Sequence, residues 1–184
     1  MERYFPLFVD LSGKKILVIG AGPVASRRIR ILLKFGCDII VVAPDFCEEF
    51  NGIINQTYSK GCLYKDKITN CNSNNSDEVC DSEVVYNGRL SCKKRCFLDS
   101  DLNGMDMVII ASNYPTENER IASLCKDMGI MKNVASDKSL CDFFFPSVVV
   151  TDDIVVGINS NGKKPTKTKE TRIKIQKLLE NNHG

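Results

Sequence analysis

Three short aliphatic runs set the rhythm of the chain: Lys15 to Gly20 (KILVIG), Asp38 to Ala43 (DIIVVA) and Asp106 to Ala111 (DMVIIA). None alternates apolar with polar, so each predicts a strand covered on both faces, as in a parallel sheet. Between the first two runs, Val24 to Phe35 places Val24, Ala25, Ile29, Leu32 and Leu33 on one helical face. Gly36 then sits where a helix C-cap glycine belongs. Strand, helix and strand within about thirty residues make one βαβ unit, whose crossover is expected to be right-handed.

After the third run, Pro115 and Thr116 open a helix expected to reach Met128, with Ile121, Leu124 and Cys125 as its buried stripe and Gly129 as its end. Ile130 to Val134 is a fourth strand. Phe143, Phe144 and Phe145 before Pro146 form an aromatic knot, assigned to the core rather than to cofactor stacking. Val148 to Val150 and Ile154 to Val156, joined through Thr151-Asp152-Asp153, predict a hairpin, and a basic helix from about Lys167 to Leu179 comes next. The rhythm fails between Asp66 and Cys92, where Asn70 to Glu78 is rich in Asn and Ser and buries little apolar surface. This stretch is expected to be a flexible insertion, with Val84-Val85-Tyr86 before Asn87-Gly88 as a hairpin inside it. The resulting fold class is α/β: a Rossmann-like parallel sheet with helices on both faces, then a small β-hairpin plus helix region. The expected division is 1–140, containing the insertion 66–92, and 141–184 with an abbreviated carboxyl end.

Composition narrows the function. The 184 residues carry a formal net charge of +2, too balanced to argue for nucleic acid. No apolar run is long enough to span a membrane, and Met1 to Pro6 lacks the pattern of a signal peptide, so the expected location is cytoplasmic. Nine cysteines are an odd number without an export signal, so reduced, incidental thiols are expected. Their tightest spacing in the insertion region, Cys92 to Cys96, is wider than a zinc-type pair, and no metal site is assigned. The single histidine, His183, sits at a terminus where a base is rarely positioned.

The turn Gly20-Ala21-Gly22-Pro23-Val24-Ala25 lies between a buried strand and a helix. That context makes it a dinucleotide-binding turn. Gly20 serves the tight turn and Gly22 removes the Cβ that would block a diphosphate. Ala25 takes the third, close-packing position, and the first helical N–H groups point at the anion. After the second strand, Asp45 in Pro44-Asp45 is placed to accept from ribose hydroxyls. No Arg or Lys lies between Asp38 and Phe50, which favours NAD over NADP. The competing view is a tight βα turn that binds nothing.

The chain resembles the precorrin-2 dehydrogenase family, also found as the amino-terminal part of siroheme synthases. The resemblance rests on Tyr4 to Lys14 before the first strand, Val24-Ala25-Ser26-Arg27-Arg28, Asn118 to Ile121, Cys141-Asp142-Phe143 and Ser160 to Pro165, in this order and spacing. It implies NAD-dependent oxidation of precorrin-2 to sirohydrochlorin on the siroheme or cobalamin route, in a homodimer formed largely through the hairpin and carboxyl-terminal helices. In some members it also implies insertion of ferrous iron or cobalt as a substrate. It places cofactor contacts on Pro23, Val24, Pro44 and Asp45, and Ser112 after the third strand joins the cofactor set.

The family's catalytic aspartate falls three residues after the asparagine matching Asn133, where this chain has Ser136. Asp137 and Asp142 are the alternative carboxylates. The remaining options are hydride transfer without a protein carboxylate, or impaired activity. Ser160, Lys163 and Lys164 are the candidate substrate contacts, within a basic cluster suited to a polycarboxylate or simply to solvent. Ser160 also matches a position suggestive of regulatory phosphorylation. A bifunctional dehydrogenase and ferrochelatase, and a non-catalytic NAD-binding sensor, are the competing functions.

Overall fold

A computed structural model describes residues 4–58, 83–86, 90–160 and 164–181. The chain divides into two compact units, Asp10–Phe143 and a second made of the described parts of Met1–Val9 and Phe144–Gly184.

The first unit is built on β1 (Lys15–Ile19), β2 (Asp38–Val42), β3 (Glu83–Tyr86), β4 (Leu90–Lys93), β5 (Met107–Ile110) and β6 (Met131–Val134), in the sheet order β3-β4-β2-β1-β5-β6. The five strands β4-β2-β1-β5-β6 run parallel, and β3 pairs antiparallel at one edge. The chain therefore builds outward from β1 through β2 and β4, then returns to place β5 on the other side of β1. That reversal is the topological switch point, where open α/β sheets bind ligands beyond the carboxyl ends of the strands.

The aliphatic runs form strands because both sides of each are buried. Leu17, Ile19, Val108, Ile110 and Val134 join Ile121, Ala122 and Cys125 of α3 (Pro115–Asp127) in one core layer. The alternate residues Ile16, Val18, Val41 and Ile109 are equally buried and by the pleat face the other way. A right-handed β1–α1–β2 crossover places α1 (Pro23–Leu32) on that side. Helix α1 buries Ala25, Ser26, Ile29 and Leu32, ends through a tight 3-10 turn at Leu33–Phe35, and is capped by Gly36 at φ 73°. The expected stripe is thus corrected at two positions. Val24 is 38% exposed and Leu33, in the 3-10 turn, is only partly buried, while Ser26 is buried. The Ser26 hydroxyl tolerates burial by donating to the Gly22 carbonyl at 3.0 Å.

The span expected to be a flexible insertion, 66–92, overlaps the sheet at its end. Val84-Val85-Tyr86 pairs with Leu90 to Cys92, which is the predicted hairpin, and Leu90 to Lys93 adds a parallel strand beside β2. Residues 66–82 and 87–89 lie outside the described residues. A further helix, α2 (Glu48–Tyr58), comes after β2 and was not anticipated. Cys37, Cys47, Cys92, Cys96, Cys125 and Cys141 are free thiols. Burial pushes the Cys92 thiol up to about 12 and the Cys125 thiol to about 11, so both stay protonated.

The second unit holds the antiparallel hairpin β7 (Ser147–Val150) and β8 (Val155–Ile158), against which α4 (Pro165–Asn181) packs. Thr151 closes the hairpin turn, its N–H donating to the Ile154 carbonyl at 2.9 Å and its hydroxyl accepting from the Ile154 N–H at 3.0 Å. The Tyr4 and Phe144 rings meet at 4.3 Å between centroids.

After β4, Arg95 grips Asp101 with two N–H groups at 2.7 and 2.6 Å, and the side chains are only 10% and 3% exposed. Burial opposes the ionised form of Asp101. The Arg95 hydrogen bonds, the Leu98 N–H and the charges of Arg95 and Lys93 outweigh it, holding the carboxyl below the usual range. Removing one partner strands a buried charge, so Arg95→Ala is expected to cost about 3 kcal/mol in urea unfolding. Because the folded pKa is depressed, this contribution is full above the unfolded aspartate value of about 3.9 and is lost as pH falls through the folded value. The gap between Arg95→Ala and wild type therefore narrows on acidification.

Candidate functional site

The turn at the end of β1 organises the site. Gly20 adopts φ 101°, and a Cβ there would lie 2.5 Å from the Ala111 carbonyl oxygen and 2.8 Å from its carbon. Glycine at 20 is thus a demand of the protein itself, since the end of β1 presses against the backbone that leaves β5. Gly22 is different. It is the N-cap of α1 with an ordinary φ of −81°, and a Cβ there would meet nothing within 4 Å. Neither conformation nor packing asks for a glycine at 22, so the space beside it is available to something outside the chain.

Helix α1 starts with Pro23 and has no side-chain cap. Ser26 N–H is the first amide to bond within the helix, donating to the Gly22 carbonyl at 2.9 Å. The Val24 and Ala25 amides lie in the first turn, where N–H groups lack helical acceptors and face along the axis toward an anion. No acidic residue occupies this turn to repel one.

The loop after β2 lies against the glycine turn. Cys47 N–H donates to the Ala21 carbonyl at 3.1 Å, and the Cys47 sulfur is 3.5 Å from the Ser26 hydroxyl. Pro44 and Asp45, exposed on the same loop, are thereby brought to the side of Gly20, Ala21, Gly22, Pro23 and Val24. Nearby, Glu49 is held below the usual carboxylate range by its own backbone N–H and by the Cys47 thiol, with Arg30 and Arg27 adding positive charge. A glycine-lined, uncapped helix end, open space beside Gly22 and an acid on the neighbouring loop fit a dinucleotide.

On the other side of the switch point, Ser112 stands just after β5 and Ser136 just after β6. They are joined by Asn118 of α3, which is 1% exposed. The Asn118 Oδ1 accepts from the Ser112 hydroxyl at 2.5 Å, and its Nδ2 donates to the Ser112 carbonyl at 3.0 Å and to the Ser136 Oγ at 3.2 Å. Sequence reasoning gave Asn118 no role in the site. Its signal was a polar residue on the buried stripe of α3, at the spacing of Ile121, Ala122 and Cys125.

The two candidate carboxylates have separate employments. Asp137 turns to Ser139, accepting from its N–H at 2.8 Å and its hydroxyl at 2.7 Å, which caps the 3-10 turn Lys138–Leu140. Those bonds, the hydroxyl's first, hold the exposed Asp137 carboxyl below the usual range. Asp142 forms an ion pair with the Lys132 Nζ at 2.9 Å and accepts from the Lys132 N–H at 2.9 Å, alongside β6 rather than beyond its carboxyl end. Ser160 and Lys164 belong to the other unit. The Ser160 Oγ accepts from the Thr168 hydroxyl at 2.7 Å and from the Lys164 N–H at 3.4 Å, and the Lys164 side chain is exposed. Lys163 lies outside the described residues.

A family model described as "Putative NAD(P)-binding" matches residues 7–147. The chain is 33% identical over 175 residues to the "Probable multifunctional siroheme biosynthesis protein HemA" of Ruminiclostridium josui, covering 95% of this chain and 28% of that protein. It is 31% identical over 182 residues to the siroheme synthase of Buchnera aphidicola subsp. Acyrthosiphon pisum, covering 99% of this chain and 32% of that protein. The chain thus spans about a third of the length of these curated relatives. Among solved structures, "SirC, precorrin-2 dehydrogenase" shares the fold with a TM-score of 0.59 and 23% identity, covering 95% of this chain and 71% of that one. No helix among the described residues is long and apolar enough to cross a membrane.

The two glycines are separable by experiment. Gly20→Ala is expected to destabilise by at least about 3 kcal/mol in chemical unfolding, from its positive φ and its overlap with Ala111. Gly22→Ala is expected to cost under about 1 kcal/mol, the scale of an N-cap change. Gly22→Val is expected to keep the fold while weakening NAD at least ~10-fold by calorimetry, because its side chain enters the diphosphate niche.

Proposed function

The chain belongs to the NAD(P)-binding family matched over residues 7–147, and from that premise we propose that it is an NAD-dependent dehydrogenase converting precorrin-2 to sirohydrochlorin. The observation that carries the cofactor half of this reading is Gly22, a glycine that no contact within the chain requires. The substrate half is supported by the siroheme-pathway relatives, which align along 95% and 99% of the chain.

In this reading the Val24 and Ala25 amides hold the diphosphate, Gly22 leaves room for it, and Asp45 accepts from the adenosine ribose hydroxyls. With no cation on the loop after β2, NAD is preferred to NADP. When bound, NAD supplies the hydride acceptor. Asp142 is committed to Lys132, so Asp137 is the carboxylate placed beyond the carboxyl end of β6. Its depressed pKa makes it a weak base but keeps it ionised near neutral pH, which suits it to accept a hydrogen bond from a pyrrole N–H. The basic cluster that the sequence places around the start of α4, with Lys163, Lys164, Lys167 and Lys169, suits the carboxylates of a polyacidic tetrapyrrole. The second unit exposes Phe5 (88%), Leu7 (75%) and Phe8 (71%), an apolar segment that supports pairing with a second copy of the chain. A cytoplasmic location and, as an added activity, insertion of ferrous iron or cobalt as substrate are compatible with this reading.

Anaerobic addition of precorrin-2 to protein and NAD is expected to produce NADH, read at the nicotinamide absorbance band. Asp137→Asn is expected to lower kcat about 10-fold or more while leaving NAD affinity unchanged. NAD binding without any NADH formation would replace the dehydrogenase with a non-catalytic NAD-binding protein. Iron uptake by sirohydrochlorin in the same preparation would mark a bifunctional enzyme.

A further inference from the structure

We propose that Asn118 is a positioning residue that holds the Ser136 hydroxyl as a hydrogen-bond donor to the nicotinamide half of the dinucleotide, an inference that rests on the cofactor reading above.

The orientation of the Asn118 amide is set by its contacts. The Ser112 carbonyl can only accept, so the amide atom 3.0 Å from it is the NH2 group, and the other atom, 2.5 Å from the Ser112 hydroxyl, is the oxygen. Both Nδ2 protons are then spent, one on the Ser112 carbonyl and one on the Ser136 Oγ at 3.2 Å. The consequences for the two serines differ. Ser112 gives its proton inward to Asn118 and accepts from the Tyr114 N–H at 3.3 Å, so its hydroxyl is occupied by the protein. Ser136 receives from Asn118 and finds no acceptor for its own proton among the described residues. It is exposed, while the amide that holds it is 1% exposed. A buried, fully bonded amide thus fixes an exposed hydroxyl with its O–H turned outward.

The location gives the donor its target. The diphosphate niche is at the β1–α1 turn and the acid for the adenosine ribose is after β2, on one side of the switch point. The other half of a dinucleotide crosses to the carboxyl ends of the strands on the opposite side. Those strands are β5 and β6, and Ser112 and Ser136 are the residues just beyond them. The acceptor that a nicotinamide ring presents is its carboxamide oxygen.

The test compares NAD with ADP-ribose, which lacks the nicotinamide ring, by calorimetry on the full chain. Ser136→Ala is expected to weaken NAD about fivefold, the worth of one neutral hydrogen bond, and to leave ADP-ribose unchanged. Ser136→Thr, which keeps the hydroxyl, is expected to retain wild-type affinity. Asn118→Asp replaces the NH2 donor with an acceptor of the same size, draws the Ser136 proton inward, and is expected to match Ser136→Ala. The double variant is expected to be no weaker than either single one. A loss that is equal for both ligands, absent, additive in the double variant or unrelieved by threonine overturns the proposal. Should Asn118→Asp fail to fold, the two Ser136 variants carry the test alone. Wild-type protein that binds neither ligand would instead overturn the cofactor reading, and the proposal with it.

Discussion

The site depends on the contact between two backbones. Where β1 ends, the chain presses Gly20 against Ala111, so closely that a single methyl group would overlap the carbonyl. The Ala111 N–H reciprocates by donating to the Ile19 carbonyl at 2.8 Å, and the Gly20 N–H donates to the Val42 carbonyl at 2.9 Å. The ends of β1, β2 and β5 are therefore stitched at one edge of the sheet. From that stitch hang the uncapped start of α1, the loop carrying Asp45 and the exit of β5, where Ser112 bonds the Asn118 that reaches Ser136 after β6.

Buried polar groups then fix the loops that the strands leave loose. Asn118 ties the exits of β5 and β6 together. Lys132 and Asp142 secure the return of the chain along β6, where the Cys141 sulfur also contacts the Val134 N–H at 3.1 Å. Arg95 and Asp101 pin the connection that leads from β4 toward β5. The buried Asn118, Lys132, Arg95 and Asp101 side chains are each bonded, Lys132 to the exposed Asp142, so burial raises the cost of moving the loop rather than the cost of folding. Rigid loop exits matter at this edge, because a site assembled from several separate chain segments is only as precise as their relative positions.

Strands β1, β2 and β5 were legible because burial on both faces leaves an uninterrupted aliphatic run, and the β7–β8 hairpin because two valine-rich runs flank a polar turn. Strand β4 was not. Leu90-Ser91-Cys92-Lys93 offers two apolar positions in four, too short an alternation to separate from the polar stretch before it. Helix α2 was missed for a related reason, since Asn51, Gly52, Asn55 and Thr57 dilute its apolar positions with weak helix formers. At the site, the glycine turn was legible as a motif, but the difference between its two glycines was not. Only the Ala111 backbone, ninety-one residues away from Gly20 in sequence, shows which one the fold itself needs. Asn118 was hidden by the same logic, because a polar residue on a buried stripe declares its purpose only through the serines it reaches.

What the edge of the sheet offers chemically is orientation more than reactivity. The two carboxylates that follow β6 are engaged, Asp137 with Ser139 and Asp142 with Lys132, and hydrogen bonds hold Asp137 too acidic to compete for a proton near neutral pH. The Ser136 hydroxyl can donate a hydrogen bond but is far too weak an acid or base to serve as the reaction's proton donor or acceptor. A reaction that needed the protein to pull hard on a proton would be badly served here. Hydride transfer to a nicotinamide asks for less, because the electron sink belongs to the cofactor and the protein has only to hold ring and donor carbon in register. Fixed donors and committed acids suit such a division of labour, the one proposed above.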